Sequence, residues 1–133
     1  MRLYVDAGLL EQLTAHFRNC LPDEGCGFLI GRKDTATRFL PSPNTLGSSS
    51  AFEVDPRFLF DLFRQLRASG EDLVGICHSH PAGPARPSAR DVASAHYPDS
   101  FYLIVSLASA VPEIRVWRII DGEVLEAELH AKI

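Results

Sequence analysis

Residues 71–91 read EDLVGICHSHPAGPARPSARD, and this stretch decides both the fold and the chemistry. Its first ten residues are a nearly unbroken apolar run of the kind that forms a strand buried on both faces. Residues i and i+2 of a strand point to the same side, so His78 and His80 face one point from one side of the sheet. Pro81 has no N–H to give to a ladder and ends the strand, which makes PAGPARP a loop. Ser88 then suits the N-cap of a helix that carries Asp91 in its first turn, and the loop can bring that carboxylate back to the imidazoles. Two histidines and a carboxylate make three ligands for Zn²⁺, a count that leaves one coordination position for water. A structural zinc would close with four protein ligands and favour cysteine, whereas three is the count of a metallohydrolase, whose bound water has a pKa of about 7.

Each piece alone has a plainer reading. Ser-x-x-Asp is a common helix start, because an acidic residue near the N-terminus suits the macrodipole. A histidine at a strand end is commonly a hydrogen-bonded structural residue. Two histidines in register, with Ser88 and Asp91 at this offset, turn the balance toward a metal.

The rest of the chain supplies elements for a sheet and its covering helices. Asp6 caps a helix over about 7–20, with Leu9, Leu10, Leu13, Phe17 and Cys20 as its apolar stripe. Residues 25–31 and 36–41 read as strands, with Glu24 at the entrance of the first. The stretch PSPNTLGSSS has the composition of a loop, in which Asn44 reads as an exposed turn residue, with the substrate path as its alternative place. Asp55-Pro56 starts a second helix over about 56–69 that ends at Gly70 and buries Phe58, Leu59, Leu62, Phe63 and Leu66. A short helix over 88–96 follows, then the apolar strand FYLIVSL, then IRVWRII and EVLEAELH joined by the hairpin signal Asp121-Gly122. His16, His96 and His130 fall outside the metal pattern. The predicted whole is an α/β single-domain sandwich, a mixed, mostly antiparallel sheet with flanking helices.

Composition bounds the answer. With 133 residues and 46% apolar content the chain suits one compact domain over 1–133. A formal net charge of −4 gives no electrostatic case for nucleic acid. No apolar run reaches membrane-spanning length, and MRLYVDAGLL lacks the signal-peptide pattern, so the expectation is a cytoplasmic protein without a membrane partner. Cys20, Cys26 and Cys77 are an odd number with no metal-knuckle spacing, consistent with reduced thiols.

The polar pattern His-Ser-His-Pro followed by Ser-x-x-Asp resembles the signature of the JAMM/MPN-domain metalloproteases. That family also places a glutamate upstream in a Glu-x-Cys-Gly-like segment, and here residues 24–27 read Glu-Gly-Cys-Gly. The resemblance covers most of the chain and implies the JAMM/MPN fold, which is cytidine-deaminase-like. It implies His78, His80 and Asp91 as ligands of one Zn²⁺ per chain, with water in the fourth position. Glu24 resembles the general base, whose plainer reading is an exposed turn residue after Pro22. Ser88 resembles the serine that hydrogen-bonds the developing oxyanion. Ser79 points away from the ligands and has a supporting role. Cys77 stands where many relatives have a bulky aromatic; alternation turns it away from His78, so it reads as a small buried residue. The alternative, a fourth ligand, would close the open position.

Members of the family cut amide bonds after the Gly-Gly tail of ubiquitin and ubiquitin-like proteins, since only glycine lets a backbone pass so close to a metal. The chain lacks the long insertions of deubiquitinating relatives and is similar to the minimal stand-alone bacterial type. That type implies a ubiquitin-like sulfur-carrier protein as substrate, held as an added strand on an exposed sheet edge. Two other classes stay open. One is a non-catalytic scaffold of the same fold, although scaffold members typically lose ligands and none is missing here. The other is a zinc deaminase, whose His-x-Glu and Pro-Cys-x-x-Cys elements are absent.

Overall fold

The computed structural model describes residues 1–133. It contains the strands β1 (Arg2–Asp6), β2 (Cys26–Arg32), β3 (Thr35–Ser42), β4 (Asp72–His80), β5 (Phe101–Ser106), β6 (Glu113–Ile120) and β7 (Glu123–Lys132), with helices α1 (Ala7–Cys20), α2 (Pro56–Ser69) and α3 (Ala89–Ala93). The helix boundaries follow local chemistry. Asp6 caps α1 by accepting from the Gly8 N–H at 2.7 Å, and Asp55 caps α2 by accepting from the Arg57 N–H at 2.9 Å. Gly70 ends α2 in the left-handed conformation at φ 72°, where a Cβ would be strained.

The strands order as β1-β3-β2-β4-β5-β6-β7 and close through β7 onto β1. Four pairings are antiparallel (β2 with β3, β2 with β4, β5 with β6, β6 with β7) and three are parallel (β1 with β3, β1 with β7, β4 with β5). The mixed, mostly antiparallel sheet with flanking helices is therefore present, rolled into a ring. Closure narrows the expected free edge: β1 pairs with β3 only at Thr35 and Ala36, so the unpaired second side of β3 is confined to the residues beyond them.

Two apolar clusters cover the two faces. One joins Leu13 and Phe17 of α1 to Leu29, Cys77, Leu103, Val105 and Val116. The other joins Leu62 and Leu66 of α2 to Phe28, Ile76, Tyr102, Ile104 and Trp117. Strands β2, β4 and β5 carry side chains into both clusters, which is why their sequences read as apolar runs without alternation. The strand β1 was not evident in the sequence: it is five residues long, and its partners β3 and β7 are distant in the chain and parallel. The expected helix over 88–96 stops at Ala93, because Pro98 disfavours helical backbone at Tyr97 and the segment turns before it. At the β6–β7 hairpin, Asp121 and Gly122 both have positive φ, 51° and 78°, as a two-residue primed turn requires.

Leu103 is fully buried at the centre of this arrangement. The Leu103→Ala protein is expected to lose about 2–5 kcal/mol of unfolding free energy in urea titration, from lost transfer energy and the cavity left behind.

Candidate metal centre

The end of β4 lies between β2 and β5, with Cys26 opposite His78 and Ile104 and Ser106 beside His78 and His80. Because β4 and β5 are parallel, both histidines sit at the carboxyl ends of adjacent strands, where the chain leaves the sheet and a loop can close over them. Alternation does what the sequence indicated: His78 and His80 share one side, and Ser79 and Cys77 point to the other. The Ser79 hydroxyl accepts from the Gly25 N–H at 2.9 Å, and the Ser79 N–H donates to the Gly25 carbonyl at 3.0 Å. This pair of bonds fixes the residue next to Glu24 against the residue between the two histidines. Cys77 is wholly enclosed in the apolar cluster under the sheet, where burial pushes its thiol pKa far up, and it does not face the histidines.

The loop after β4 brings Asp91 back. His80 Nδ1 lies 2.7 Å from the Pro84 carbonyl, Ser106 Oγ donates to the Gly83 carbonyl at 2.6 Å, and the Trp117 indole N–H donates to the Ala85 carbonyl at 3.0 Å. Three successive carbonyls are thus tied to rigid strands. Ser88 then caps α3 reciprocally: its Oγ accepts from the Asp91 N–H at 3.1 Å, and its own N–H donates to Asp91 Oδ2 at 2.9 Å. The helix-start reading of Ser-x-x-Asp holds, and the same cap grips the carboxylate oxygen that faces the imidazoles. The Ser88 hydroxyl proton has no protein acceptor and stays free to donate.

His78 Nε2, His80 Nε2 and Asp91 Oδ2 form a triangle with every edge 3.1 Å. Three ligands of tetrahedral zinc at about 2.0–2.1 Å would be separated by about 3.3–3.4 Å, so the donor set has nearly the span that the ion requires. Glu24 is a second carboxylate at this place: it, His78 and His80 present ligand atoms all within 4.8 Å of one another. Asp91 thus meets both imidazoles at 3.1 Å, and Glu24 is the second carboxylate that shares the place with them. Glu24 is buried rather than exposed in a turn, and its Oε1 has no hydrogen-bond partner in the protein.

The electrostatics separate the two carboxylates. Burial raises the Glu24 pKa to about 7, with His80 opposing and Asp91 adding to the rise. Burial acts on Asp91 in the same direction, but hydrogen bonds from His78 and His80 outweigh it and hold that carboxyl well below the usual range. Burial also works against a charged His80, yet Asp91, the Pro84 carbonyl and Glu24 together raise its pKa. One carboxylate is thus kept ionised, while the other titrates near neutrality.

Two depressions open on this cluster. One, of about 320 Å³, is lined by His78 and Asp91 and by the apolar groups Phe28, Phe52, Leu59 and Tyr97. The other, of about 430 Å³, is lined by Glu24, His80 and Ser88 with Ser49, Ser50 and Arg86. Phe52, which carried no motif in the sequence, stacks on His78 with ring centroids 4.7 Å apart. Asn44 is half-buried, not an exposed turn residue: its side chain joins Glu24 to the loop carrying Phe52 through four hydrogen bonds. His16, His96 and His130 take no part in the triangle.

Comparison with known proteins agrees with the geometry. Residues 6–120 match the family described as prokaryotic homologs of the JAB domain. The chain is 42% identical over 96 residues to a probable TtuB-protein conjugate cleaving protease of Thermus thermophilus, a match that covers 71% of this chain and 64% of that protein. It is 36% identical over 131 residues to the CysO-cysteine peptidase of Mycobacterium tuberculosis, covering 96% and 90% of the two chains. The solution structure of protein DSY2949 from Desulfitobacterium hafniense superposes with a TM-score of 0.88 at 37% identity, over 99% of this chain and 93% of that one.

Replacing Ser79 with alanine leaves the buried Gly25 N–H without its acceptor. The expected loss is about 1–3 kcal/mol of unfolding free energy, read from the urea midpoint of the metal-free protein at unchanged slope.

Proposed function

The chain belongs to the family of prokaryotic homologs of the JAB domain, and from that membership and the geometry of its buried cluster we propose a zinc-dependent metallopeptidase of the JAMM type, formed by the whole of residues 1–133 as one domain. The reaction is hydrolysis of the amide bond that follows the C-terminal Gly-Gly tail of a ubiquitin-like sulfur-carrier protein. The observation that carries this reading is the 3.1 Å triangle of His78 Nε2, His80 Nε2 and Asp91 Oδ2, with the unpartnered Glu24 Oε1 beside it.

His78, His80 and Asp91 would hold one Zn²⁺ per chain. The ion would supply Lewis acidity, which polarises the amide carbonyl and makes water a nucleophile near neutral pH. Glu24 takes the proton from the attacking water and returns it to the departing amine, so one carboxylate serves as base and then as acid. The Ser88 hydroxyl, which accepts from the Asp91 N–H through one lone pair, donates a hydrogen bond to the carbonyl oxygen as charge builds there. Asp91 remains ionised throughout, held by the Ser88 N–H. The two depressions at the cluster give room for the two portions of a substrate that flank the scissile amide.

The substrate class rests on the family resemblance and on relatives named for cleaving a protein conjugate and a CysO-cysteine bond. No helix is long and apolar enough to cross a membrane.

The direct test offers the zinc-loaded protein a panel of ubiquitin-like carriers extended beyond Gly-Gly and reads the products by mass spectrometry. Cleavage after the second glycine of at least one carrier is expected; zinc binding without cleavage of any would favour a scaffold. His78→Ala and Asp91→Ala should each abolish stoichiometric zinc binding, measured by metal analysis after gel filtration. Glu24→Gln should retain zinc and lose about 10²–10⁴-fold in cleavage rate, the usual worth of a positioned acid–base group. Wild-type turnover in that variant would end the proposed mechanism.

A further inference from the structure

The two histidines of the triangle are supported differently. His80 directs Nδ1 at the Pro84 carbonyl, 2.7 Å away, and this bond fixes its tautomer and ring plane so that Nε2 offers a lone pair to the cluster. Metal-binding histidines almost always have such a partner behind them. His78 has none: its Nδ1 is buried and meets no donor or acceptor of the protein. The terminal torsion of a histidine is broad, so an unsupported ring would swing and carry Nε2 out of the triangle.

A different contact takes that place. The Phe52 ring stacks on the His78 imidazole at 4.7 Å between centroids and 30° between planes, and the His80 imidazole meets that of His78 at 4.9 Å and 64°. Aromatic pairs at such separations have preferred orientations and hold each other's planes. Phe52 lies in the loop between β3 and α2, and Asn44 locks its position. The Asn44 amide N–H₂ donates to the Ala51 carbonyl at 2.9 Å and to the Glu24 carbonyl at 3.1 Å, while Oδ1 accepts from the Glu53 and Leu46 N–H groups at 3.1 Å. Ala51 and Glu53 are the neighbours of Phe52 in the chain, so one asparagine pins both sides of the stacking residue and ties them to Glu24.

We propose that Phe52 is a positioning residue for His78, an aromatic face that holds the ring plane as the Pro84 carbonyl holds that of His80, with Asn44 keeping that face in register with Glu24. The proposal rests on the reading of His78 as a ligand and adds to it the residue that orients the ligand.

The test compares Phe52→Leu and Phe52→Tyr with the parent protein. Leucine keeps apolar bulk but cannot stack; tyrosine keeps the ring. Zinc affinity is measured by competition with a chelator, and the imidazole C–H resonances of His78 are followed by NMR in the metal-free protein. Phe52→Leu is expected to weaken zinc binding by about 10–100-fold, the range found for partners behind a ligand. In the metal-free state it should shift and broaden the His78 signals as the ring current and the fixed plane are lost. Phe52→Tyr should restore both. Parent-like zinc affinity in Phe52→Leu overturns the proposal. So does a loss of affinity that only accompanies melting of the metal-free fold, because Phe52 would then be ordinary packing. His78→Ala separates the two readings: parent-like zinc affinity there removes His78 from the ligand set and takes both down. Its loss there, beside an unaffected Phe52→Leu, overturns only this one.

Discussion

The double hydrogen bond between Ser79 and Gly25 is the constraint on which the site depends. It crosses from the end of β4 to the entrance of β2 on the side of the sheet away from the histidines. A strand alternates, so fixing Ser79 from below fixes His78 and His80 above it, and fixing Gly25 fixes Glu24. The chemistry thus stands on one face and its alignment is made on the other, among groups that never meet substrate. Such separation lets the reacting face stay open while its geometry is set by buried backbone.

Charge gives the second constraint. Two carboxylates and two imidazoles lie together, His78 and Asp91 beside Phe28, Phe52 and Ile76, and Glu24 and His80 beside Ser49, Ser50 and Pro84, with Glu24 Oε1 and His78 Nδ1 lacking protein partners. Buried ionisable groups are costly unless their charges are paired and their lone pairs satisfied. Asp91 meets that cost by accepting from the Ser88 N–H and facing both imidazoles at 3.1 Å, whereas Glu24 meets it by a raised proton affinity. A divalent cation in the triangle would take the lone pairs of His78 Nε2, His80 Nε2 and Asp91 Oδ2 at a single charge centre.

How much of this was legible in the sequence follows from the range of each interaction. Both long helices were read to their ends, since Asp6, Asp55, Pro56 and Gly70 act within a few residues of themselves. His78, His80 and Asp91 were legible because strand alternation and a capped turn are local rules, even though the loop between them is not regular. The order of strands in the ring was not, because β1 meets β3 and β7 across long stretches of chain and no local pattern encodes a parallel partner. Glu24 was legible only through resemblance; its burial depends on Ser79 and Asn44, which are 55 and 20 positions away. Asn44 looked like a turn residue because its neighbours are proline, glycine and serine. That composition reports that the backbone leaves the sheet and does not say what the side chain bonds on the way.

The loop over 43–54 is the clearest case of a part that composition misreads. Its sequence is polar and rich in turn formers, the usual marks of a segment with no fixed partner. Yet the Glu24 N–H donates to the Ser48 carbonyl at 2.8 Å, Asn44 returns a bond to the Glu24 carbonyl, and Phe52 lies on His78. The loop therefore grips Glu24 through its backbone and His78 through the Phe52 ring. Glu24 and His78 are held between two independent sets of contacts, one from the sheet and one from the loop. The Glu24 backbone is thus fixed from two directions, which sets where its carboxylate enters the cluster although that carboxylate has no protein partner of its own.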